Sequence, residues 1–168
     1  MTIPFHSTLA AVAAALTLSA CAPMLRQAPP VGAPLAEVTA KLGRPDAVYP
    51  DPGGGQVLEY RGQPMGQFQY MARIGPDGRL VSYDQVLTSE NFAKVKVDQW
   101  TKDDILRHFG RPAEVTGVYF HNYEVWSYRY KEAGVWNSLM SVHFDQQGVV
   151  RQMLNGPDPM FDERLRHR

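Results

Sequence analysis

One cysteine, Cys21, is all that this 168-residue chain contains. An internal disulfide is therefore impossible, and the fold must hold through packing alone. A surplus of charge of either sign is also missing. Seventeen Lys and Arg balance seventeen Asp and Glu, so the composition implies neither a basic surface for nucleic acid nor an acidic solvating tail. The apolar run Leu9–Leu18 is about half the length that a helix needs to cross a bilayer of roughly 30 Å. Signatures of common catalysts are missing too: no Gly-x-Ser-x-Gly, no phosphate-cradling glycine loop and no His-Glu-x-x-His. With no cofactor, metal or nucleophile motif, the chain reads as non-catalytic.

What is present begins at the N-terminus. Leu9–Leu18 holds only Leu, Ala, Val and Thr, a length and composition suited to the apolar core of an export signal. Ser19 and Ala20 supply small residues before Cys21. Together, Leu18-Ser19-Ala20-Cys21 resembles the lipobox of bacterial lipoproteins. Residues 1–8 depart from the pattern, since they carry no Lys or Arg. The resemblance implies removal of residues 1–20 and a thioether-linked diacylglycerol on Cys21, which becomes the mature N-terminus. Two or more acyl chains would anchor stably, since each buried methylene contributes about 0.8 kcal/mol. In enterobacterial lipoproteins an Asp after the cysteine retains the protein in the inner membrane. Ala22 here implies a lipid-anchored protein of the outer membrane, facing the periplasm. Residues 21–34 are rich in Pro and Ala and read as a tether. Extended at about 3.1 Å per residue, it would let the domain stand up to roughly 40 Å from the bilayer.

Beyond the tether the chain repeats itself. Leu35-Ala-Glu-Val38-Thr-Ala-Lys-Leu42-Gly43-Arg44-Pro45 returns as Lys102-Asp-Asp-Ile105-Leu-Arg-His-Phe109-Gly110-Arg111-Pro112, an offset of 67. Leu58-Glu-Tyr60-Arg61 returns as Trp126-Ser-Tyr128-Arg129 at 68, and Asp77-Gly78-Arg-Leu80 as Gln147-Gly148-Val-Val150 at 70. Three matches in one order, with a slowly growing offset, indicate a duplicated unit with small loop insertions. Val38 with Leu42, and Ile105 with Phe109, place an apolar stripe on a short helix in each copy. Thr101 is the expected N-cap of the second helix, with acids in its first turn. Gly43 and Gly110 sit where a left-handed residue ends a helix, and the proline two positions on prevents continuation. The intervening arginines read as solvated charges that suit the helix C-terminus.

Strands follow each helix. Gln56–Arg61, Phe68–Ile74 and Leu80–Leu87 serve the first unit; Tyr123–Tyr130, Ser138–Phe144 and Val149–Leu154 serve the second. Pro76-Asp77-Gly78 and Gln146-Gln147-Gly148 are hairpin turns. Ser89–Ala93 reads as a short linking helix with Ser89 as N-cap. The fold class is α+β: two tandem repeats, each a short helix packed on a three- to four-stranded antiparallel sheet. The implied organisation is a signal peptide at 1–20, a tether at 21–34, repeats at 35–96 and 97–156, and a tail at 157–168. A unit of this size buries little surface alone. The two should share a sheet edge or a helix layer and behave as one cooperative domain.

A helix, Leu-Gly-x-Pro, and strands bearing aromatic-x-Tyr, in a lipoprotein, resemble the SmpA/OmlA (BamE-like) family of outer-membrane lipoproteins. Val38, Leu42, Gly43, Pro45 and Tyr60 carry the likeness in the first unit. Ile105, Phe109, Gly110, Pro112, Trp126 and Tyr128 carry it in the second, and residues 85–92 resemble a linker of tandem members. The family's β-barrel assembly subunit has one unit where this chain has two. Secreted β-lactamase inhibitor proteins share the duplicated architecture and bind enzymes through a concave sheet. The resemblance therefore implies protein binding, with the β-barrel assembly machinery or a periplasmic enzyme as the kind of partner.

Aromatic residues suggest where. Tyr119, Phe120, Tyr123, Trp126, Tyr128, Tyr130 and Trp136 fall within eighteen residues. Part of this set fills the core. The rest, with Arg129, has the composition of an interface hot spot. Tyr60, Arg61, Phe68 and Tyr70 would continue that face from the first unit. The candidate protein-binding residues are therefore Tyr60, Arg61, Trp126, Tyr128, Arg129 and Trp136, the last on a hairpin tip. His121, Glu124, His143 and Asp145 could meet if their strands are neighbours, and such a set can bind zinc. However, His143 and Asp145 alternate with apolar Val142 and Phe144, so a solvated sheet face accounts for them. His108 reads as solvent-facing. The tail from Asn155 reads as disordered, with a basic end suited to anionic headgroups.

Overall fold

The computed structural model describes residues 28–118 and 122–161. The proposed signal, Cys21, Tyr119, Phe120 and His121 lie outside the described residues. The first unit consists of α1 (Leu35–Leu42), β1 (Ala47–Pro50), β2 (Gln56–Arg61), β3 (Gln69–Ile74) and β4 (Leu80–Gln85). A short helix, α2 (Ser89–Phe92), joins it to the second: α3 (Lys102–Phe109), β5 (Glu114–Val118), β6 (Tyr123–Glu132), β7 (Trp136–Phe144) and β8 (Val150–Pro157). Each sheet is a four-stranded antiparallel meander, in the orders β1-β2-β3-β4 and β5-β6-β7-β8. The α+β expectation holds, with four strands in each sheet. The first strand of each, β1 and β5, lacks a sequence signal. Both are edge strands; β1 ends in a proline and β5 is mostly exposed, so neither needs the apolar alternation of a central strand.

The repeat is visible bond by bond. In the first unit Leu80 N–H donates to Ala33 C=O and Leu35 N–H to Gly78 C=O, tying the helix start to the β3–β4 turn. The second unit repeats this with Val150 to Trp100 and Lys102 to Gly148. Bulges fall at matching places, Arg73/Ile74 and His143/Phe144. The aromatic-x-Tyr motif has a structural meaning as well. Tyr60 Oη donates to Gly43 C=O at 3.3 Å, and Tyr128 Oη to Gly110 C=O at 2.9 Å. Each tyrosine thus pins the end of its helix to its own sheet.

Helix ends follow local chemistry. Thr101 forms a capping box with Asp104, whose carboxylate accepts the Thr101 N–H at 2.8 Å. The cap of α2 is Thr88, one residue before the expected Ser89; its hydroxyl accepts the Asn91 N–H at 3.2 Å. Gly43 and Gly110 stop their helices at φ 84° and 70°, but with ψ near −171° and −163°. That is not the expected left-handed helical region but an extended region reached almost only by glycine.

The units share a helix layer and no sheet edge. Leu58, Tyr60, Ala72, Ile74 and Leu80 of the first sheet pack with Val38 and Leu42 of α1. The opposite face gives Val57 and Met71 to a second core, with Ile105, Phe109, Trp126, Tyr128, Val142 and Phe144. The order of layers is α1, first sheet, α3, second sheet. Two expected borders move. Residues 28–34 of the tether are held by the fold: Pro29 and Ala33 are buried, and Gly32 N–H donates to Leu80 C=O at 2.8 Å. The tail starts late, because β8 continues to Pro157 and Asp158 is buried against Arg129.

Candidate functional site

The aromatic candidates are placed by strand alternation. On β6, Trp126, Tyr128 and Tyr130 face α3, while Val125, Ser127 and Arg129 face away. Trp126 packs edge-on to Phe144 at 4.8 Å and donates its indole N–H to Glu124 at 2.6 Å. Tyr128 is fully buried, and burial pushes its phenol well above the ordinary range, with the charge of Glu59 adding to the effect. Tyr60 is buried in the first unit's core, beneath α1. Tyr60, Trp126 and Tyr128 therefore fill cores and offer almost no ring surface to a partner. The aromatics of the first unit do not continue the second unit's outer face, because a sheet and a helix layer intervene. Instead Phe68, Tyr70 and Tyr83, with the small exposed edge of Tyr60, line a groove of about 680 Å³ beside Gly43 and Arg44, with Tyr70 stacked on Tyr83 at 5.1 Å.

Arg61 belongs to the junction between the units. Its Nη2 donates to Pro112 C=O at 2.6 Å. The Phe109-Gly110-Arg111-Pro112 turn is docked on the first sheet at two buried polar side chains, Glu59 and Gln69. Gln69 Nε2 donates to Phe109 C=O at 2.5 Å, and the Arg111 N–H donates to Glu59 Oε2 at 3.3 Å. Tyr49 Oη donates to the same carboxylate oxygen at 2.5 Å, and Arg111 Nη2 reaches Asp46 C=O at 2.8 Å. Arg111, read from sequence as a solvated helix-end charge, thus carries part of the junction. A buried carboxylate facing a backbone turn has no signal in a single sequence; the 67-residue match supplied only the turn.

One face of the second sheet is turned away from α3. It comprises Tyr123, Val125, Ser127 and Arg129 on β6, Leu139, Ser141 and His143 on β7, and Gln152 and Leu154 on β8, which the register sets side by side. Val125 belongs to neither core cluster. Cross-strand neighbours shield the centre, so His143 is mostly buried, and burial lowers its pKa below the ordinary histidine value. Arg129 lies at the edge of this face, paired with buried Asp158, while its backbone N–H donates to Gln63 at 3.3 Å. Trp136 opens β7 opposite Glu132 and is 70% exposed. Of the six candidates it alone presents its ring to solvent.

The described members of the possible zinc set, Glu124, His143 and Asp145, do not come together. Glu124 turns to the α3 side, where Lys102 at 2.6 Å and then the Trp126 indole hold its carboxyl below the usual range. His143 lies on the opposite face. Asp145 accepts the N–H groups of Gln147 and Val149 in the β7–β8 turn and pairs with Arg151. Among the described residues, no group of three or more His, Cys, Asp or Glu is arranged to hold a metal ion. His108 is exposed, lying against the Trp100 ring at 4.2 Å. Among the described residues, no helix is long and apolar enough to cross a membrane.

No family model matches the chain, and no curated protein matches it. Among solved structures, it is similar to a DUF4309 family protein (YjgB) from Bacillus subtilis, with 15% identity and a TM-score of 0.33, over 73% of this chain and 77% of that one.

Proposed function

We propose that this chain is a lipid-anchored, non-catalytic envelope protein of the outer membrane that binds another protein through the open face of its second sheet. The observation that carries the binding reading is that face: exposed Leu154 and half-buried Leu139 lie beside Ser141 and Gln152, on the side of the sheet turned away from α3. Apolar positions set among hydrogen-bonding side chains suit a protein partner. The anchoring reading rests on Leu18-Ser19-Ala20-Cys21. The resemblance to SmpA/OmlA lipoproteins favours a role in β-barrel assembly or envelope integrity.

Two measurements test the reading. Mass spectrometry of the protein taken from membranes should find Cys21 at the N-terminus with its acyl chains; an unmodified chain that retains residues 1–20 refutes the anchor. Capture of partners from solubilised membranes should fall sharply with Leu139→Arg or Leu154→Arg while the thermal midpoint holds. Undiminished capture would move the binding surface elsewhere. Recovery of a soluble periplasmic enzyme in place of assembly components would favour the inhibitor-like reading.

A further inference from the structure

The larger exposed apolar side chains gather at one end of the molecule. Met65 (71% exposed) and Phe68 (48%) lie in the β2–β3 loop, and Val135 (65%) and Trp136 close the β6–β7 turn. The β2–β3 loop lies against the strand that leads into that turn: Gln63 Nε2 donates to Arg129 C=O at 2.8 Å, and Gln67 Nε2 to Tyr130 C=O at 3.4 Å. Apart from these four, the large apolar residues exposed among the described ones are Leu154 and scattered valines. Each of the four sits at a turn and none is needed to close a core.

The first described residue borders this end, while residues 32–35 are tied to the β3–β4 turn at the other end of the first sheet. Ala28 lines the same groove as Phe68. Pro157 pairs with Ser138, and the Asp158 N–H donates to Asn137 C=O at 3.0 Å, which brings the C-terminal segment beside Trp136. Because residues 28–34 are bound to the first unit, Ala28 is only seven positions from Cys21. Seven residues reach at most about 25 Å when fully extended, well short of the reach of the whole tether.

We propose that this end is a membrane-contacting surface, with Met65, Phe68, Val135 and Trp136 entering the boundary of a lipid bilayer. A cluster of exposed apolar side chains on a monomer marks a contact site, and tryptophan favours the headgroup boundary. The inference rests on the anchored reading for its direction, since a leash of at most about 25 Å from Cys21 to Ala28 keeps the groove beside Phe68 close to the bilayer. The strands of both sheets run away from this end, so the open face of the second sheet stands beside the membrane, free for a partner.

The test uses the full chain with Cys21→Ser and one added cysteine, Met65→Cys, Trp136→Cys or, at the far end, Val81→Cys, each carrying a polarity-sensitive fluorophore. The probe surface is a vesicle of phosphatidylethanolamine and phosphatidylglycerol containing doxyl-labelled lipid. Quenching at 65 and 136 should be severalfold stronger than at 81. Equal quenching at all three sites, or no association with the vesicles, overturns the proposal. The mass of the native N-terminus separates the two readings. Lipid absent from Cys21 with the quenching pattern intact removes the anchor and leaves the apolar end standing. Lipid present without a difference among the sites overturns the apolar end alone.

Discussion

Gly43 and Gly110 occupy the same place in their units, yet their surroundings differ. Both have positive φ with extended ψ, where a side chain costs on the order of 1–3 kcal/mol. A Cβ on Gly43 would meet nothing within 4 Å, whereas one on Gly110 would collide with the Gln69 amide and the Glu59 carboxyl. Gly43→Ala should therefore lose only the backbone penalty. Gly110→Ala should add an overpacking penalty of about 1–3 kcal/mol, because the docked turn has to lift from the first sheet. Urea denaturation of the two variants measures the difference, and equal losses would contradict the docking account. At this scale the sequence showed the need for glycine twice. It could not show that one of the two is also pressed against a neighbouring unit.

The linking element α2 illustrates the same limit for elements. Its length, cap and position are legible within one residue, since Thr88 and Ser89 are both good caps and only geometry chooses between them. Its role is not legible. Phe92 stacks on Phe109 at 4.7 Å and meets Tyr130 edge-on at 5.0 Å, so the linker closes the second unit's core. Phe92→Ala should cost about 3–5 kcal/mol, as expected for an aromatic lost from a core. A loss below about 1 kcal/mol would show a peripheral ring, since that is the range of surface substitutions. The strands teach a related lesson. Central strands β2, β3, β6 and β7 announce themselves through aromatic and β-branched residues, because both ladder edges and at least one face are buried. The edge strands β1 and β5 carry no such requirement, and their sequences show none.

The layered arrangement makes a prediction about the whole molecule. The first sheet is covered by α1 on one face and by α3 of the second unit on the other. Unfolding the second unit would expose Val57 and Met71 to water and break the hydrogen bonds from Gln69 to Phe109 and from Arg111 to Glu59. The units should therefore unfold together. All three tryptophans, Trp100, Trp126 and Trp136, lie in the second unit, while far-UV circular dichroism reports on both sheets. Coincident urea midpoints by tryptophan fluorescence and circular dichroism are expected; separated midpoints would show two independent bodies.

Local patterns in the sequence determined the duplication, the helix stops, the turns and the fold class, because each depends on residues near one another in the chain. They also placed Val125 and Trp126 on opposite faces of a strand, since alternation is a property of the strand itself. Which face would be covered depended on how the two units meet. Only the tertiary structure decided that Tyr60, Trp126 and Tyr128 are enclosed, that Arg61 and Arg111 join the units, and that Trp136 stays in solvent. A strand pattern has two faces and no record of what packs on either; that is settled by contacts between residues some fifty positions apart, such as Glu59 and Arg111.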